Sequence, residues 1–100
     1  MITPKALRGI KAVIVGAARE GIALTRYLAS CGAKVTLADS KRREALAKRL
    51  SCLDGIDVRL ALGQDTPDLS GADVLFLSPG VPPSAKVVRQ AREMGLPISS

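Results

Sequence analysis

The chain has 100 residues, 47% of them apolar, with 15 basic and 9 acidic side chains for a net charge of +6, and no histidine. That length holds one domain with a true core and not two, and no apolar run approaches the roughly 20 residues that span a bilayer. Without histidine the commonest general base and metal ligand is missing, which argues against a self-contained active site.

Taken in order, Met1-Ile2-Thr3-Pro4-Lys5 lacks the charged start and apolar block of a secretory signal. Gly9-Ile10-Lys11 leads into Ala12-Val13-Ile14-Val15, a short run whose β-branched, uniformly apolar character predicts a strand buried on both faces. The run ends at Gly16, and an amphipathic helix is expected from about Gly21, with Leu24, Leu28 and Cys31 on one core-facing stripe and Tyr27 beside it. Gly32 is the expected stop. Lys34-Val35-Thr36-Leu37-Ala38 predicts a second strand, closed by Asp39-Ser40, either of which suits the cap of a helix carrying Leu46, Leu50 and Leu53.

Gly55 breaks that helix, and residues 56–62 alternate as an edge strand does. Residues 64–71 are polar around Pro67 and predict a loop with at most one helical turn. Val74-Leu75-Phe76-Leu77 predicts a central strand that runs into Ser78-Pro79-Gly80-Val81-Pro82-Pro83, a stiff turn. Ser84 is the expected cap of a last helix bearing Val87, Val88, Ala91 and Met94, closed by Gly95, and Leu96-Pro97-Ile98 begins a fifth strand. Cys31 and Cys52 lack metal-ligand spacing and sit on apolar stretches, where buried reduced thiols are the ordinary state; a cytoplasmic home is expected.

The succession predicts an α/β fold: a Rossmann-like, doubly wound, parallel five-stranded sheet of order 3-2-1-4-5 in a single domain. Its topological switch point falls between the strands that end at Gly16 and Ser78, and ligands bind outside the carboxyl ends of the strands there. Three loops meet at that crevice: residues 16–21, 39–41 and 78–81.

The first loop reads Gly16-Ala17-Ala18-Arg19-Glu20-Gly21, a dinucleotide fingerprint with alanine at the middle glycine position. A helix N-terminus offers unpartnered N–H groups and a favourable dipole to a phosphate. Ala18 tends to hold a pyrophosphate farther off, Arg19 suits a diphosphate, and Glu20 suits a helix's first turn but repels the same anion. Asp39 stands 18 residues beyond Gly21, where dinucleotide folds keep an acid for ribose hydroxyls and where a plain helix cap is equally at home. Lys41 is placed to cover a ligand or simply to be solvated. The basic residues invite a nucleic-acid reading, but Tyr27 and Phe76 are the only aromatics and give no stacking platform, and the charges fall on helix faces.

Gly16 to Gly21, then Gly32-Ala33-Lys34-Val35-Thr36-Leu37-Ala38-Asp39-Ser40, then Ser78-Pro79-Gly80-Val81-Pro82-Pro83, and finally Ala91-Arg92-Glu93-Met94-Gly95-Leu96-Pro97-Ile98 resemble the N-terminal domain of the Mur ligases, the D-glutamate-adding branch above all. The Ser-Pro-Gly-Val-Pro segment is the most specific element and the glycine turn the least. The resemblance implies a domain, residues 1–100, that binds the UDP portion of UDP-N-acetylmuramoyl-L-alanine. It further implies a larger ligase in which a central domain binds ATP and magnesium and a C-terminal domain binds D-glutamate. The carboxylate is phosphorylated and the amine then attacks the acyl phosphate.

By the same resemblance Gly16, Ala17, Ala18, Arg19, Glu20 and Gly21 approach the diphosphate. Asp39, Ser40 and Lys41 match the uracil side, and Ser78, Pro79, Gly80 and Val81 the wall near the muramoyl sugar. No catalytic or metal-ligating residue, no cofactor within residues 1–100, and neither nucleic acid nor membrane as partner is expected. The alternative is an NAD- or nucleotide-binding Rossmann module of a dehydrogenase or regulator.

Overall fold

The computed structural model describes residues 4–64, 66–82 and 84–99. Five strands, β1 (Lys11–Val15), β2 (Lys34–Asp39), β3 (Val58–Leu62), β4 (Val74–Leu77) and β5 (Ile98–Ser99), form one sheet in the order β3-β2-β1-β4-β5. Every neighbouring pair runs parallel. Helices α1 (Arg19–Ser30), α2 (Arg43–Leu50) and α3 (Lys86–Glu93) flank it, with short 3-10 turns at Pro4–Leu7 and Ser51–Leu53. This is the Rossmann-like doubly wound sheet that the sequence predicts, strand order included.

Alternate side chains of β1 feed two cores. Ala12 and Ile14 join Val35 and Leu37 of β2 and Ile22, Leu28, Leu46 and Leu50 of α1 and α2. Val13 points the other way, into a cluster with Leu75, Val87, Val88 and Ala91. Strand register sets the geometry at the carboxyl end of the sheet. Val15 lies opposite both Ala38 of β2 and Leu77 of β4. The next residue of each strand is therefore level with its neighbours, and Gly16 is brought between Asp39 and Ser78.

Several local expectations shift. Helix α1 starts at Arg19, two residues before the expected Gly21, and its buried face is Gly21, Ile22, Thr25 and Leu28. Leu24 and Cys31 flank that face half-buried, and Tyr27 is 50% exposed. The stripe turns because Thr25 can be fully buried: its Oγ1 donates to the Gly21 carbonyl at 2.7 Å, so no polar atom is orphaned. The helix ends as expected around Gly32, whose N–H reaches the Ala29 carbonyl while Ala33 N–H reaches that of Leu28, both at 3.0 Å.

Helix α2 buries Leu46 and Leu50, and Leu53 follows in the 3-10 turn, as the spacing predicts. Neither Asp39 nor Ser40 caps it: Arg42 holds the cap position without a side-chain bond. Ser84 likewise does not cap α3, where Ala85 stands at that position. Val87, Val88 and Ala91 are buried there, but Met94 is half-exposed because it lies at the C-cap where the chain leaves the helix.

Residues 64–71 form a loop without a helical turn among those described, anchored by Pro67 and Leu69, both fully buried. The thiols are free, Cys31 half-buried and Cys52 exposed, so the expected burial holds only in part. No helix of the described residues is long and apolar enough to cross a membrane.

Candidate functional site

The carboxyl ends of β1, β2 and β4 open into the three loops that the sequence singles out, and hydrogen bonds tie them together. Gly16 turns the chain at φ +107°, where only glycine is comfortable. Its N–H donates to the Ala38 carbonyl at 2.8 Å, continuing the sheet for one more residue. Ala17 is fully buried. Its N–H donates to Asp39 Oδ2 at 2.8 Å.

Asp39 is therefore a brace and not a helix cap. Its other oxygen, Oδ1, accepts the Lys41 N–H at 2.8 Å. Gly63 N–H closes the same loop from the β3 side, reaching the carbonyls of Asp39 at 3.0 Å and Lys41 at 2.9 Å. The side chains of Ser40 and Lys41 stay exposed at the rim.

Ser78 plays the corresponding part across the switch point. It is 7% exposed. Its N–H donates to the Val15 carbonyl at 2.9 Å. Its Oγ donates to the Gly16 carbonyl at 2.8 Å. Beyond it, Pro79 and Gly80 form a tight turn closed by Val81 N–H on the Ser78 carbonyl at 3.2 Å. Gly80, at φ +96°, supplies the positive angle that the second corner of a Pro-Gly turn requires. Pro79 and Gly80 are exposed and Val81 half-buried, and Pro83 of the same motif lies outside the described residues.

The two outer glycines of the fingerprint owe their identity to this packing. A Cβ on Gly16 would stand 2.7 Å from Ser78 Cβ. One on Gly21 would run into the Gly16 carbonyl oxygen and stand 2.8 Å from Ser78 Oγ. The middle position is different: Ala18 has φ −78° and ψ −175°, an extended conformation open to any residue. Ala18 is also the N-cap of α1 and makes no side-chain cap bond. The first-turn amides of α1 thus have no internal acceptor and face the crevice end of the sheet, with Arg19 and Glu20 exposed beside them.

All thirteen residues picked out in the sequence thus lie at the carboxyl end of the sheet, on the three loops or, for Arg19, Glu20 and Gly21, in the first turn of α1. Two of them, Asp39 and Ser78, turn their polar atoms inward to the loop backbone. That role was not visible in the sequence, where Asp39 reads as a ribose-binding acid or a helix cap and Ser78 as part of a stiff turn.

A broad concavity of about 1230 Å³ lies elsewhere, running from the amino-terminal ends of β1 and β2 past Lys11, Lys34, Arg59 and Asp68. It includes no residue of the three loops, and its chemistry is that of a broad, mixed-charge groove. Among the described residues, the two side chains with shifted titration also lie outside the three loops. The Ser70 hydroxyl and N–H hold Asp68 below the usual carboxylate range, and a hydrogen bond with Cys31 raises Tyr27. Among the described residues no three His, Cys, Asp or Glu side chains gather to hold a metal ion.

Comparison with known proteins fits this geometry. The family described as "Mur ligase MurD-like, N-terminal domain" matches residues 10–100. The UDP-N-acetylmuramoylalanine--D-glutamate ligase of Trichlorobacter lovleyi is 41% identical over 95 residues, covering 94% of this chain and 21% of the relative. That of Anaeromyxobacter dehalogenans is 37% identical over 92 residues, 92% of this chain and 20% of the relative. The chain thus spans about a fifth of the length of these curated relatives.

Among solved structures, the ligand-free 5-ketofructose reductase of a Gluconobacter strain superposes with a TM-score of 0.58 at 17% identity, over 92% of this chain and 45% of that one. The D-lactate dehydrogenase of Escherichia coli gives 0.50 at 22% identity, over 77% and 22%. At such identity these two show a shared Rossmann-like fold and nothing more. The profile match over nine-tenths of the sequence carries the assignment: this chain belongs to the Mur ligase family, as a MurD-like N-terminal domain.

Proposed function

We propose that this domain binds the UDP portion of UDP-N-acetylmuramoyl-L-alanine and presents that substrate within an ATP-dependent ligase that adds D-glutamate during peptidoglycan precursor synthesis in the cytoplasm. The observation that carries the reading is the match of residues 10–100 to the MurD-like family. The three converging loops are compatible with it in the donors and charges they expose. The open amides at residues 18–21 suit a diphosphate, since the helix end offers donors and a favourable dipole without a charged ligand set. The exposed guanidinium of Arg19 adds a counter-charge.

The 39–41 loop would meet the uracil, with Ser40 and Lys41 as its exposed side chains. The 78–81 turn would meet the muramoyl sugar through Pro79, Gly80 and Val81. This polarity directs the substrate carboxylate away from the domain, toward the partner domains of the ligase. ATP and magnesium, which make the acyl phosphate that the D-glutamate amine attacks, would be held there. The chain has neither a phosphate-binding G-x-x-x-x-G-K-[ST] loop nor, among the described residues, a cluster of metal-binding side chains. Residues 1–100 alone should therefore bind substrate and hydrolyse no ATP.

Titration of the 100-residue chain with UDP, NADH and a short DNA duplex, followed by backbone amide shifts, tests the reading. UDP should perturb residues 16–21, 39–41 and 78–81 together, with NADH far weaker and the duplex without effect. Equal or tighter NADH binding at residues 16–21 would replace the reading with that of a dinucleotide module.

A further inference from the structure

The carbonyl of Gly16 and the N–H of Ala17 belong to one peptide unit, and the two loops on either side each hold one end of it. Ser78 Oγ donates to the Gly16 oxygen at 2.8 Å. Asp39 Oδ2 accepts the Ala17 N–H at 2.8 Å. We infer that Asp39 and Ser78 are positioning residues that clamp the Gly16–Ala17 peptide from both sides, fixing the direction in which the next amides of the turn are offered to the diphosphate. The inference rests on the UDP reading and specifies how its site is kept in shape.

Three observations support a clamp over two unrelated bonds. First, the bonds come from the last residue of β2 and the residue just after β4, both level with Gly16, so the register of three strands converges on this one peptide. Second, the peptide is one whose orientation is otherwise soft. Gly16 has no side chain to steer it, and at φ +107° its far side is open to rotation of the following unit. Third, the space is closed around the clamp. Ser78 is nearly buried and Ala17 wholly so. The absent Cβ of Gly21 leaves just the room that Ser78 Oγ and the Gly16 oxygen occupy.

The consequence concerns which end of a ligand feels the clamp. Asp39 commits its carboxylate to two backbone N–H groups, Ala17 and Lys41. It thereby links the 39–41 loop to the glycine turn, and Ser78 links the 78–81 turn to the same point. Loosening either residue should misdirect the amides that receive the diphosphate and leave base contacts in the 39–41 loop comparatively intact, most clearly when Ser78 is changed.

The experiment compares Ser78→Ala, Asp39→Asn and the double variant with the unsubstituted chain, using UDP and uridine as probes. Asparagine keeps the shape of Asp39 but cannot accept at both of its terminal atoms. Each single variant should lose about tenfold in UDP affinity, the effect of one lost hydrogen bond. Ser78→Ala should leave uridine within about twofold, since the base contacts do not pass through the clamp. The double variant should lose little more than the worse single one, because both act on one peptide.

A ligand-free readout accompanies these: hydrogen exchange of the Ala17 amide should accelerate in both single variants, although Ser78 does not touch that amide. Should Ser78→Ala fail to fold, Ser78→Cys, with its weaker donor, provides the same comparison. If Ser78→Ala leaves Ala17 exchange unchanged, or weakens uridine and UDP alike, or if the two losses simply multiply, the clamp is wrong. If the unsubstituted chain fails to bind UDP, the ligand reading falls, while the exchange data still decide the clamp.

Discussion

Replacing Gly21 by alanine pits two well-understood effects against each other, and the structure says which wins. Gly21 lies within α1, in its first turn. In a helix alanine is favoured over glycine by about 0.8–1.0 kcal/mol, so propensity alone predicts a more stable protein. The added methyl, however, would overlap the Gly16 carbonyl oxygen and stand 2.8 Å from Ser78 Oγ. Neither neighbour is the free end of a flexible chain: one is backbone, and the other is a short side chain bonded to that same backbone.

Overpacking of this kind costs about 1–3 kcal/mol, and here the upper figure applies. Relief by moving Ser78 away forfeits its hydrogen bond, about 1 kcal/mol more. Less the propensity gain, the net loss is about 3 kcal/mol. In urea, with a slope of about 1.5 kcal/mol/M, that moves the midpoint down by about 2 M. The control is Gly80→Ala, where nothing lies within 4 Å of the new Cβ and only the positive φ resists; it should cost about 1–2 kcal/mol. A Gly21→Ala chain as stable as the unsubstituted one would refute the reasoning that α1 is set against β1 through this contact.

Four further outcomes are expected. Ala18→Asp should stabilise the chain by about 1 kcal/mol through a new cap, while a carboxylate at that position repels UDP; thermal melts and UDP titration together check this, and undiminished affinity would move the phosphate off the helix end. Leu69→Ala should cost about 2–5 kcal/mol although Leu69 lies in a loop, because it is fully buried. Tyr27→Ala and Met94→Ala, at half-exposed positions, should stay within about 0.5 kcal/mol in the same denaturation series. Asp68, held low by Ser70, lends stability above the ordinary carboxylate pKa of about 3.9, and this is lost as pH falls through its lowered folded value. The acid limb of the melting-temperature profile should therefore flatten in Asp68→Asn.

The fold was legible because its strongest signals are local. Ala12 to Val15 and Val74 to Leu77 are uniformly apolar and short, and both became inner strands. Right-handed crossovers then leave little freedom in strand order. What failed was the assignment of polar residues to jobs. Thr25 broke the expected stripe because a bond to a carbonyl four residues back let it enter the core. Asp39, Ser40 and Ser84 carry real capping tendencies, yet none caps a helix here. For Asp39 the competing partner was Ala17, 22 residues away in sequence and adjacent only through the register of β1 and β2. Chain spacing reports neighbours along one strand; it does not report what stands at the end of the next one.

The same register explains why the crevice can be ready before a ligand arrives. Loops that must be ordered on binding subtract that ordering from the affinity, and preorganised loops do not. Here the 39–41 and 78–81 loops are each pinned to the glycine turn by a side chain they contribute themselves. The polar groups that lend rigidity are turned inward, and those left facing outward are backbone amides, the exposed tips of Ser40 and Lys41, and Arg19 and Glu20. The helix end shows the complementary arrangement. Alanine at the N-cap forgoes about 1 kcal/mol that serine or aspartate would supply, and so keeps the first-turn amides of α1 unsatisfied from within. A chain selected for stability alone would fill that position. On the proposed UDP reading the bare N-cap leaves those amides to an external acceptor, while Asp39 and Ser78 brace the glycine turn that precedes them.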